Sequence, residues 1–243
     1  MNVFVEWHKK NKSVFSKTDL FLPKNVNLFF TYVAVEARSI LRRQSIIYGE
    51  QMDDLLSIKA YASREAVPIM QDEGCDFICD YIKEHNCKNI LEIGTAIGYS
   101  SIRFAKLAED IHVTTIELDI DRHLKAVENF KSCGLDSRIT AIHDDALTCP
   151  LEGSFDLIFI DAAKAQYIKF FEKYKANLAP GGVIISDNLS FHGMVDDLSL
   201  THNYSTKKLV KKIQKYAAFL RENQEFETTF YEIGDRIAVS RRR

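Results

Sequence analysis

The sequence predicts an α/β fold, with a doubly wound, mostly parallel sheet of seven strands that ends in an antiparallel C-terminal hairpin. Short, continuously apolar segments such as DLIFI (156–160) and GVIIS (182–186) are typical of parallel strands that are buried on both faces. From residue 76 onwards such segments alternate with amphipathic stretches of helical length. This alternation indicates successive strand–helix–strand units, and we therefore expect helices to pack against both faces of the sheet.

The predicted elements follow one another without a recognisable linker. Residues 1–31 have mixed character and no clear period, and we treat them as an N-terminal extension to which no role is assigned. Residues 32–63 have a helical pattern, which ends before Pro68 because proline disfavours helix in the residue that precedes it. Residues 32–243 are thus predicted to form one domain with a helical cap at its N-terminus.

Within this domain, periodicity and turn residues place each later element. Gly134 ends the third of the later helices. The predicted helices are 76–84, 100–108, 121–133, 165–177 and 206–223. The predicted strands are 89–93, 112–117, 139–143, 156–160, 182–186, 227–233 and 236–240.

The composition, with 46% hydrophobic and 27% charged residues, is that of an ordinary globular protein. The length of 243 residues suffices for one α/β domain with an ample core. The formal net charge of −2 provides no overall attraction to nucleic acid, so RNA would have to bind a local basic patch. No apolar run is long enough to span a bilayer, and the first residues lack the layout of a signal peptide. Five cysteines without a Cys-x-x-Cys pair indicate free thiols in a reducing compartment, so we predict a cytoplasmic protein with no membrane partner.

The segment NILEIGTAIGYS (89–100) predicts a cofactor site. A strand delivers Glu92 to a turn that contains Gly94 and Gly98, and the next strand ends on Glu117. Glycines let the backbone approach a ligand closely, and a carboxylate at the second strand end suits a ribose diol. The spacing lacks the middle glycine of a dinucleotide fingerprint and the lysine of a P-loop, which favours S-adenosylmethionine because it carries no phosphate. A strand-to-helix turn without a ligand is the alternative for this pattern taken alone.

Acidic side chains follow several strands, at the edge where ligands bind in an open α/β sheet. Asp145 and Ala146 follow a strand where an adenine can sit, with the acid within reach of its amino group. Asp161, Asp187 and Asn188 offer three oxygen ligands from two strand ends, which suits Mg²⁺ or a similar divalent cation. A single Asp after a strand is more often a helix N-cap or a turn former, and the combination is what favours the metal.

Lys164 lies one turn after Asp161 in IDAAKAQY (160–167), so we expect it to overhang the same site. A lysine beside a divalent cation in a dry pocket has a lowered pKa and can act as a base. A solvated lysine at a helix start is the alternative. Methyl transfer mainly requires a deprotonated oxygen held in line with the sulfonium carbon, and a bound Mg²⁺ supplies that by acidifying a hydroxyl.

These residues, in this order, resemble the class I metal-dependent O-methyltransferases of the catechol and caffeoyl-CoA type, from about Leu55 to Ser240. The resemblance implies a Rossmann-like, S-adenosylmethionine-dependent methyltransferase fold. It places the metal ligands on Asp161, Asp187 and Asn188, and the catalytic residues on Lys164 and Asp161. The full cofactor-binding set predicted for the chain is Met70, Glu92, Gly94, Gly98, Ser100, Glu117, Asp145, Ala146 and Asp161.

A closer resemblance is to the bacterial branch that methylates tRNA 5-hydroxyuridine at the wobble position to give 5-methoxyuridine. The extension before residue 32 departs from this branch. The resemblance to this branch implies that the tRNA anticodon loop is the partner. The segments that carry it are VPIM (67–70), LEIGTAIGYSSIR (91–103), FIDAAKAQYIKFF (159–171), GVIISDNLSFHGMV (182–195), KKLVKKIQKY (207–216) and IGDRIAVSRRR (233–243).

The residues also provide a physical basis for an RNA substrate. O5 and O4 of 5-hydroxyuridine are vicinal oxygens like those of a catechol, so one metal site can serve either substrate. The basic residues predicted to contact phosphates are Arg42, Arg43, Arg64, Lys207, Lys208 and Lys211.

Lysine-rich helix faces are usually only solvated, so a small-molecule catechol or caffeoyl-CoA-type O-methyltransferase is the alternative to the RNA hypothesis. A non-catalytic binding protein on the same fold is a third possibility, which the intact site residues argue against. Apolar helices ahead of the sheet favour a homodimer.

Overall fold

The computed structural model describes residues 54–243, and the elements are numbered within that range. The helices are α1 (54–64), α2 (Asp72–Glu84), α3 (Tyr99–Ala105), α4 (Ile120–Ser132), α5 (Tyr167–Tyr174) and α6 (Tyr204–Glu222). The strands are β1 (Asn89–Ile93), β2 (His112–Glu117), β3 (Ile139–His143), β4 (Phe155–Ile160), β5 (Leu178–Ser186), β6 (Phe226–Tyr231) and β7 (Ile237–Arg242). Short 3₁₀ turns cover Lys164–Gln166, Lys175–Asn177 and Leu198–Leu200.

The seven strands form one sheet in the order β3-β2-β1-β4-β5-β7-β6. Strands β1 to β5 pair in parallel, whereas β7 runs antiparallel to both β5 and β6. The predicted doubly wound sheet with an antiparallel C-terminal hairpin is therefore confirmed. The strand order reverses between β1 and β4, and such a reversal opens a crevice beyond the carboxyl ends of the strands.

Both faces of the sheet are covered by apolar side chains, which explains why its central strand β4 is apolar almost without alternation. In β4, Leu157 and Phe159 belong to the core on one face, where α2, α3 and α4 pack. Ile158 and Ile160 belong to the core on the other face, with the aromatic residues of α5 and α6. Successive side chains of a strand point to opposite faces, so a strand buried on both faces is apolar at most of its positions.

The largest differences from the predicted elements lie at helix ends and at the start of β5, which begins at Leu178 rather than at residue 182. The segment 165–177, predicted as one helix, is divided into a 3₁₀ turn, α5 and a second 3₁₀ turn. Helix α2 begins at Asp72, earlier than predicted. The carboxylates of Asp72 and Glu73 in its first turn stabilise this start, because they interact favourably with the positive end of the helix dipole. Helix α6 begins at Tyr204, because the Asn203 side chain accepts a hydrogen bond from the Thr206 N–H (3.0 Å).

Several predictions lie outside the described residues: the extension 1–31, most of the helical cap, and the phosphate contacts of Arg42 and Arg43. The homodimer prediction rests on the same part of the chain. Of the helices in residues 54–243, none has the length and apolar character needed to cross a membrane.

Candidate active site

A cavity of about 800 Å³ opens at the carboxyl ends of the parallel strands. Its wall is built from the turns that follow β1, β2, β3, β4 and β5, together with the turn between β6 and β7. Its volume lies within the range of small-molecule and cofactor sites. The predicted residues that line it are Met70, Gly94, Ser100, Glu117, Asp145, Ala146, Asp161, Lys164 and Asn188. Glu92, Gly98 and Asp187 are not part of the wall.

The turn after β1 requires glycine at two positions. Gly94 has a φ of 101°, and a Cβ there would lie 2.2 Å from the carbonyl oxygen of Asp161. Gly98 has a φ of 83°, and a Cβ there would lie 2.3 Å from the ring of Phe130. Both conformations are unfavourable for other residues, and in both cases a side chain would have no room. The backbone of β1 can therefore approach that of β4 at the floor of the cavity.

Glu92 lies beneath this turn rather than in the cavity wall. Its carboxylate accepts hydrogen bonds from the hydroxyls of Ser100, Ser101 and, at 2.6 Å, Thr115. Complete burial raises the pKa of Glu92 to about 7, although the three hydroxyl donors act to lower it. Glu92 thus links β1 to β2 and α3, and it holds Ser100, which does line the cavity.

Glu117 lies at the end of β2 with its carboxylate in the cavity wall. One oxygen accepts the backbone N–H of Ala96 (2.8 Å), and the other accepts the N–H of Asp119 (3.0 Å). These bonds orient the carboxylate, and each oxygen keeps a second lone pair for a ligand. Asp145 is oriented in a similar way, because its side chain accepts the N–H of Leu147 (2.8 Å).

Three acidic side chains and one lysine gather at the ends of β4 and β5. The Lys164 Nζ lies 3.9 Å from Asp161 Oδ1, and both side chains are mostly buried. Burial raises the pKa of Asp161, Lys164 lowers it, and the nearby Asp235 raises it. Burial, followed by the charge of Asp161, raises the pKa of Asp187 to about 7. Three carboxyl groups therefore lie beside Lys164, and burial opposes the ionised form of both Asp161 and Asp187.

One carboxylate oxygen of this acidic cluster receives no hydrogen bond from the described residues. Asp187 Oδ1 is buried, and it has no hydrogen-bond partner among residues 54–243. Within the same residues there is no group of three or more His, Cys, Asp or Glu side chains arranged to hold a metal. The predicted metal site has three ligands only when the side-chain amide of Asn188 is counted with the carboxylates of Asp161 and Asp187. Neighbouring carboxylates and an unpartnered buried oxygen suit a cation.

Asp235, which no sequence pattern indicated as a site residue, is buried in the turn between β6 and β7 and lines the cavity. Its motif, Gly-Asp-Arg between two strands, is typical of a tight turn, and nothing in it indicates a contact with the end of β5. Phe191 and His192 also line the cavity. They lie between the predicted strand 182–186 and the predicted helix 206–223, in a loop, where sequence patterns do not indicate which way a side chain points.

The basic residues predicted to contact RNA do not line the cavity in the described part of the chain. Arg64 is exposed, and its side chain is bonded to Glu65 (2.8 Å). Lys208 and Lys211 are exposed on α6, and Lys207 is partly buried there. Helix α6 contacts the 3₁₀ turn Lys164–Gln166, so its lysines lie on an element adjacent to the acidic cluster.

Comparisons with known proteins identify the family of the chain. A family model described as O-methyltransferase matches residues 44–243. A catechol O-methyltransferase of Niastella koreensis is 31% identical over 199 residues, which cover 78% of this chain and 87% of that protein. A Staphylococcus aureus crystal structure, named as a caffeoyl-CoA O-methyltransferase, is 36% identical with a TM-score of 0.75, and the match covers 84% of this chain and 100% of the other.

A Bacillus cereus O-methyltransferase solved in complex with SAH has the same fold, with a TM-score of 0.67 at 24% identity over 79% of this chain and 91% of that one. The predicted resemblance to catechol and caffeoyl-CoA-type enzymes is thereby confirmed, whereas the tRNA branch stays a hypothesis. The sheet is that of a class I methyltransferase, and the chain belongs to the O-methyltransferase family.

Proposed function

We propose that this protein transfers a methyl group from S-adenosylmethionine to one of two vicinal hydroxyls of a small catechol-like molecule, with the help of a divalent cation. The observation that carries the proposal is that Asp161 belongs to both halves of the cavity. Its backbone carbonyl meets the glycine turn at Gly94, and its carboxylate lies beside Lys164. A methyl donor on the turn and an acceptor at the acidic cluster would therefore be neighbours, as an in-line transfer requires.

The cofactor half would be formed by the turn after β1 and by the acids that follow β2 and β3. Glu117 is aimed by two backbone donors and suits a ribose diol, while Asp145 and Ala146 suit an adenine edge. Met70 and Ser100 complete this wall. The SAH complex of the Bacillus cereus neighbour supports the choice of cofactor, because the two proteins share the fold.

Asp161, Asp187 and Asn188 fit a divalent cation such as Mg²⁺. The fit rests on the unpartnered Asp187 oxygen and on the charge of Asp161, which raises the pKa of the neighbouring Asp187 carboxyl and which a bound cation would offset. When bound there, the cation would acidify a substrate hydroxyl and orient it. Lys164 would take the proton from that hydroxyl, since its Nζ lies in the cavity wall beside Asp161.

A second candidate substrate is 5-hydroxyuridine in the anticodon loop of tRNA. It is favoured by α6, which carries five lysines and no acidic residue before Glu222, and which contacts the turn that bears Lys164. The lysines of this helix create a local positive potential that attracts phosphates, even though the net charge of the whole chain is −2. The similarity to catechol and caffeoyl-CoA O-methyltransferases supports the small-molecule reading more directly.

One experiment separates these substrates. The purified chain is incubated with methyl-labelled S-adenosylmethionine and Mg²⁺, and either a catechol or tRNA that carries 5-hydroxyuridine is added. Label in the catechol alone supports the first proposal, and label in the tRNA alone supports the second. If EDTA leaves the rate unchanged, the cation assignment is wrong. If neither substrate is labelled although S-adenosylmethionine binds, the vicinal-oxygen substrate class is wrong.

We further propose that residues 32–243 form a single domain in a cytoplasmic homodimer. The family match over residues 44–243 supports the domain, and the five free cysteines support a reducing compartment. Light scattering coupled to gel filtration measures the mass in solution, and a monomer of 27.9 kDa would contradict the dimer.

A further inference from the structure

We propose that Asp235 is a positioning residue that orients the side-chain amide of Asn188 and so makes its carbonyl oxygen available to the cation. The inference rests on the proposed function, which makes Asn188 a cation ligand. Asp235 lies between β6 and β7, far along the chain from Asn188, yet it is buried and lines the same cavity. An Asp that served only the hairpin turn would bond its own turn or face solvent.

The two carboxylate oxygens of Asp235 both face the loop after β5. Oδ1 accepts the backbone N–H of His192 at 2.7 Å. Oδ2 lies 3.5 Å from the Asn188 Nδ2, which is a long hydrogen bond. No bond from either oxygen to the hairpin's own backbone occurs among the described residues, so the side chain serves the loop rather than the turn.

The chemistry of the two groups determines which way the amide points. An ionised carboxylate only accepts hydrogen bonds, whereas an amide has a donor end and an acceptor end. The end of Asn188 that faces Asp235 must therefore be its NH₂ group, and its carbonyl oxygen is directed elsewhere. Only that oxygen can bind a cation such as Mg²⁺ or Mn²⁺. Groups that orient a metal ligand in this way tune metal affinity although they do not touch the metal.

The loop also needs restraint from outside, because three of its non-glycine residues have left-handed backbones. The φ angles are 60° for Asn188, 49° for Phe191 and 57° for His192. Such conformations persist only where the surroundings hold them. The hairpin turn supplies two backbone acceptors, Arg236 O for the Leu189 N–H (3.0 Å) and Asp235 O for the Ser190 N–H (2.9 Å).

A third restraint is the two-pronged ion pair between Arg236 and Asp196, with N–O distances of 2.9 and 3.2 Å. It joins the hairpin turn to the far end of the same loop without involving Asn188. The ion pair and the Asp235 carboxylate can therefore be removed separately. This separation distinguishes the orientation of one amide from the general anchoring of the loop.

The test uses Mn²⁺ alone as the probe, titrated into the full-length protein and followed by electron paramagnetic resonance. In Asp235→Asn, the new amide can still accept the His192 N–H, but it presents NH₂ to Asn188, whose amide must then reverse. We expect Mn²⁺ to bind about 10- to 100-fold more weakly. The affinity for S-adenosylmethionine and the melting temperature should stay at wild-type values. Excess Mn²⁺ should restore methyl transfer.

The matched control is Asp196→Asn, which removes the ion pair and leaves Asp235 in place, and its Mn²⁺ affinity should equal that of the wild type. If Asp196→Asn weakens Mn²⁺ binding as much as Asp235→Asn does, or if Asp235→Asn binds Mn²⁺ normally, the orienting role is wrong. Asp187→Asn tests the proposed function itself. If the wild type and Asp187→Asn bind Mn²⁺ equally, the cation site is wrong, and that failure is distinct from the failure of the Asp235 role.

Discussion

Thr115 on β2 donates a 2.6 Å hydrogen bond to Glu92 on β1, and this bond lies directly beneath the turn that carries Gly94. The hydroxyls of Ser100 and Ser101 complete the donor set from α3. The buried carboxyl therefore connects two strands and one helix below the predicted cofactor. Because it is buried with a raised pKa, its protonation links the stability of this region to pH.

Glu92→Gln is expected to flatten the pH dependence of stability. The pKa of Glu92 is about 7 in the folded chain against 4.5 as its ordinary value, so the neutral carboxyl favours the fold. Its contribution is fully present below pH 4.5 and is lost as the pH rises through 7. By linkage the loss amounts to roughly 3 kcal/mol. The unfolding free energy of the wild type, measured in urea relative to Glu92→Gln, should fall by this amount between pH 4.5 and 8. Parallel curves for the two proteins would contradict the prediction.

Gly94→Ala is expected to weaken S-adenosylmethionine binding by about tenfold or more. The new Cβ would lie 2.2 Å from the Asp161 carbonyl oxygen, and the backbone would also carry a left-handed conformation that costs about 1–3 kcal/mol. Isothermal titration calorimetry measures the effect. Gly181→Ala is the matched control, because its φ is 78° but no atom lies within 4 Å of the new Cβ. Gly181→Ala should lose stability and keep its affinity, and equal losses of affinity in both variants would refute the role of the close approach.

Lys164→Ala is expected to lower kcat by about 10²- to 10⁴-fold, the usual contribution of a general base. The Kd for S-adenosylmethionine should be unchanged, because Lys164 lies on the acceptor side of the cavity beside Asp161. Single-turnover kinetics with labelled cofactor separates chemistry from binding. Lys169→Ala on α5 is the control, since Lys169 is exposed and lies outside the cavity wall. A kcat for Lys164→Ala close to that of Lys169→Ala would leave Lys164 without a role in the reaction.

Lys208→Glu combined with Lys211→Glu is expected to separate the two substrate hypotheses. Both lysines are exposed on α6, so the change reverses the local field without touching the cavity. If tRNA is the substrate, its KM should rise about tenfold or more and depend less steeply on salt, whereas the KM for a catechol should not change. Lys83→Glu on α2 combined with Lys131→Glu on α4 provides a control of equal charge change, because both lysines are exposed on the opposite face of the sheet. An unchanged KM for tRNA in the double variant would remove α6 from any RNA surface.

Local sequence patterns were sufficient to predict the number of strands in the sheet and its mostly parallel character. The first three strands were predicted with the bounds that the structure has, because each is a short run rich in β-branched residues that is followed by turn residues. The acids at or just after the carboxyl ends of β1, β2, β3 and β4 were assigned to one edge, because parallel strands bring these ends together. By contrast, the segment 165–177 has a helical period throughout, and its division into 3₁₀ turns and a short helix is not encoded in that period.

The amino-acid sequence by itself determined the strand–helix alternation, the glycine turn and the acids that surround it, since each depends on residues close together in the chain. Only the tertiary structure decided which of those acids faces the cavity: Glu117 lines it, whereas Glu92 lies buried beneath it. It also brought Asp235 to Asn188 from the far end of the chain, through the antiparallel return of β7 beside β5. The physical reason is that burial and contact between distant segments depend on strand order and register, which no local pattern specifies.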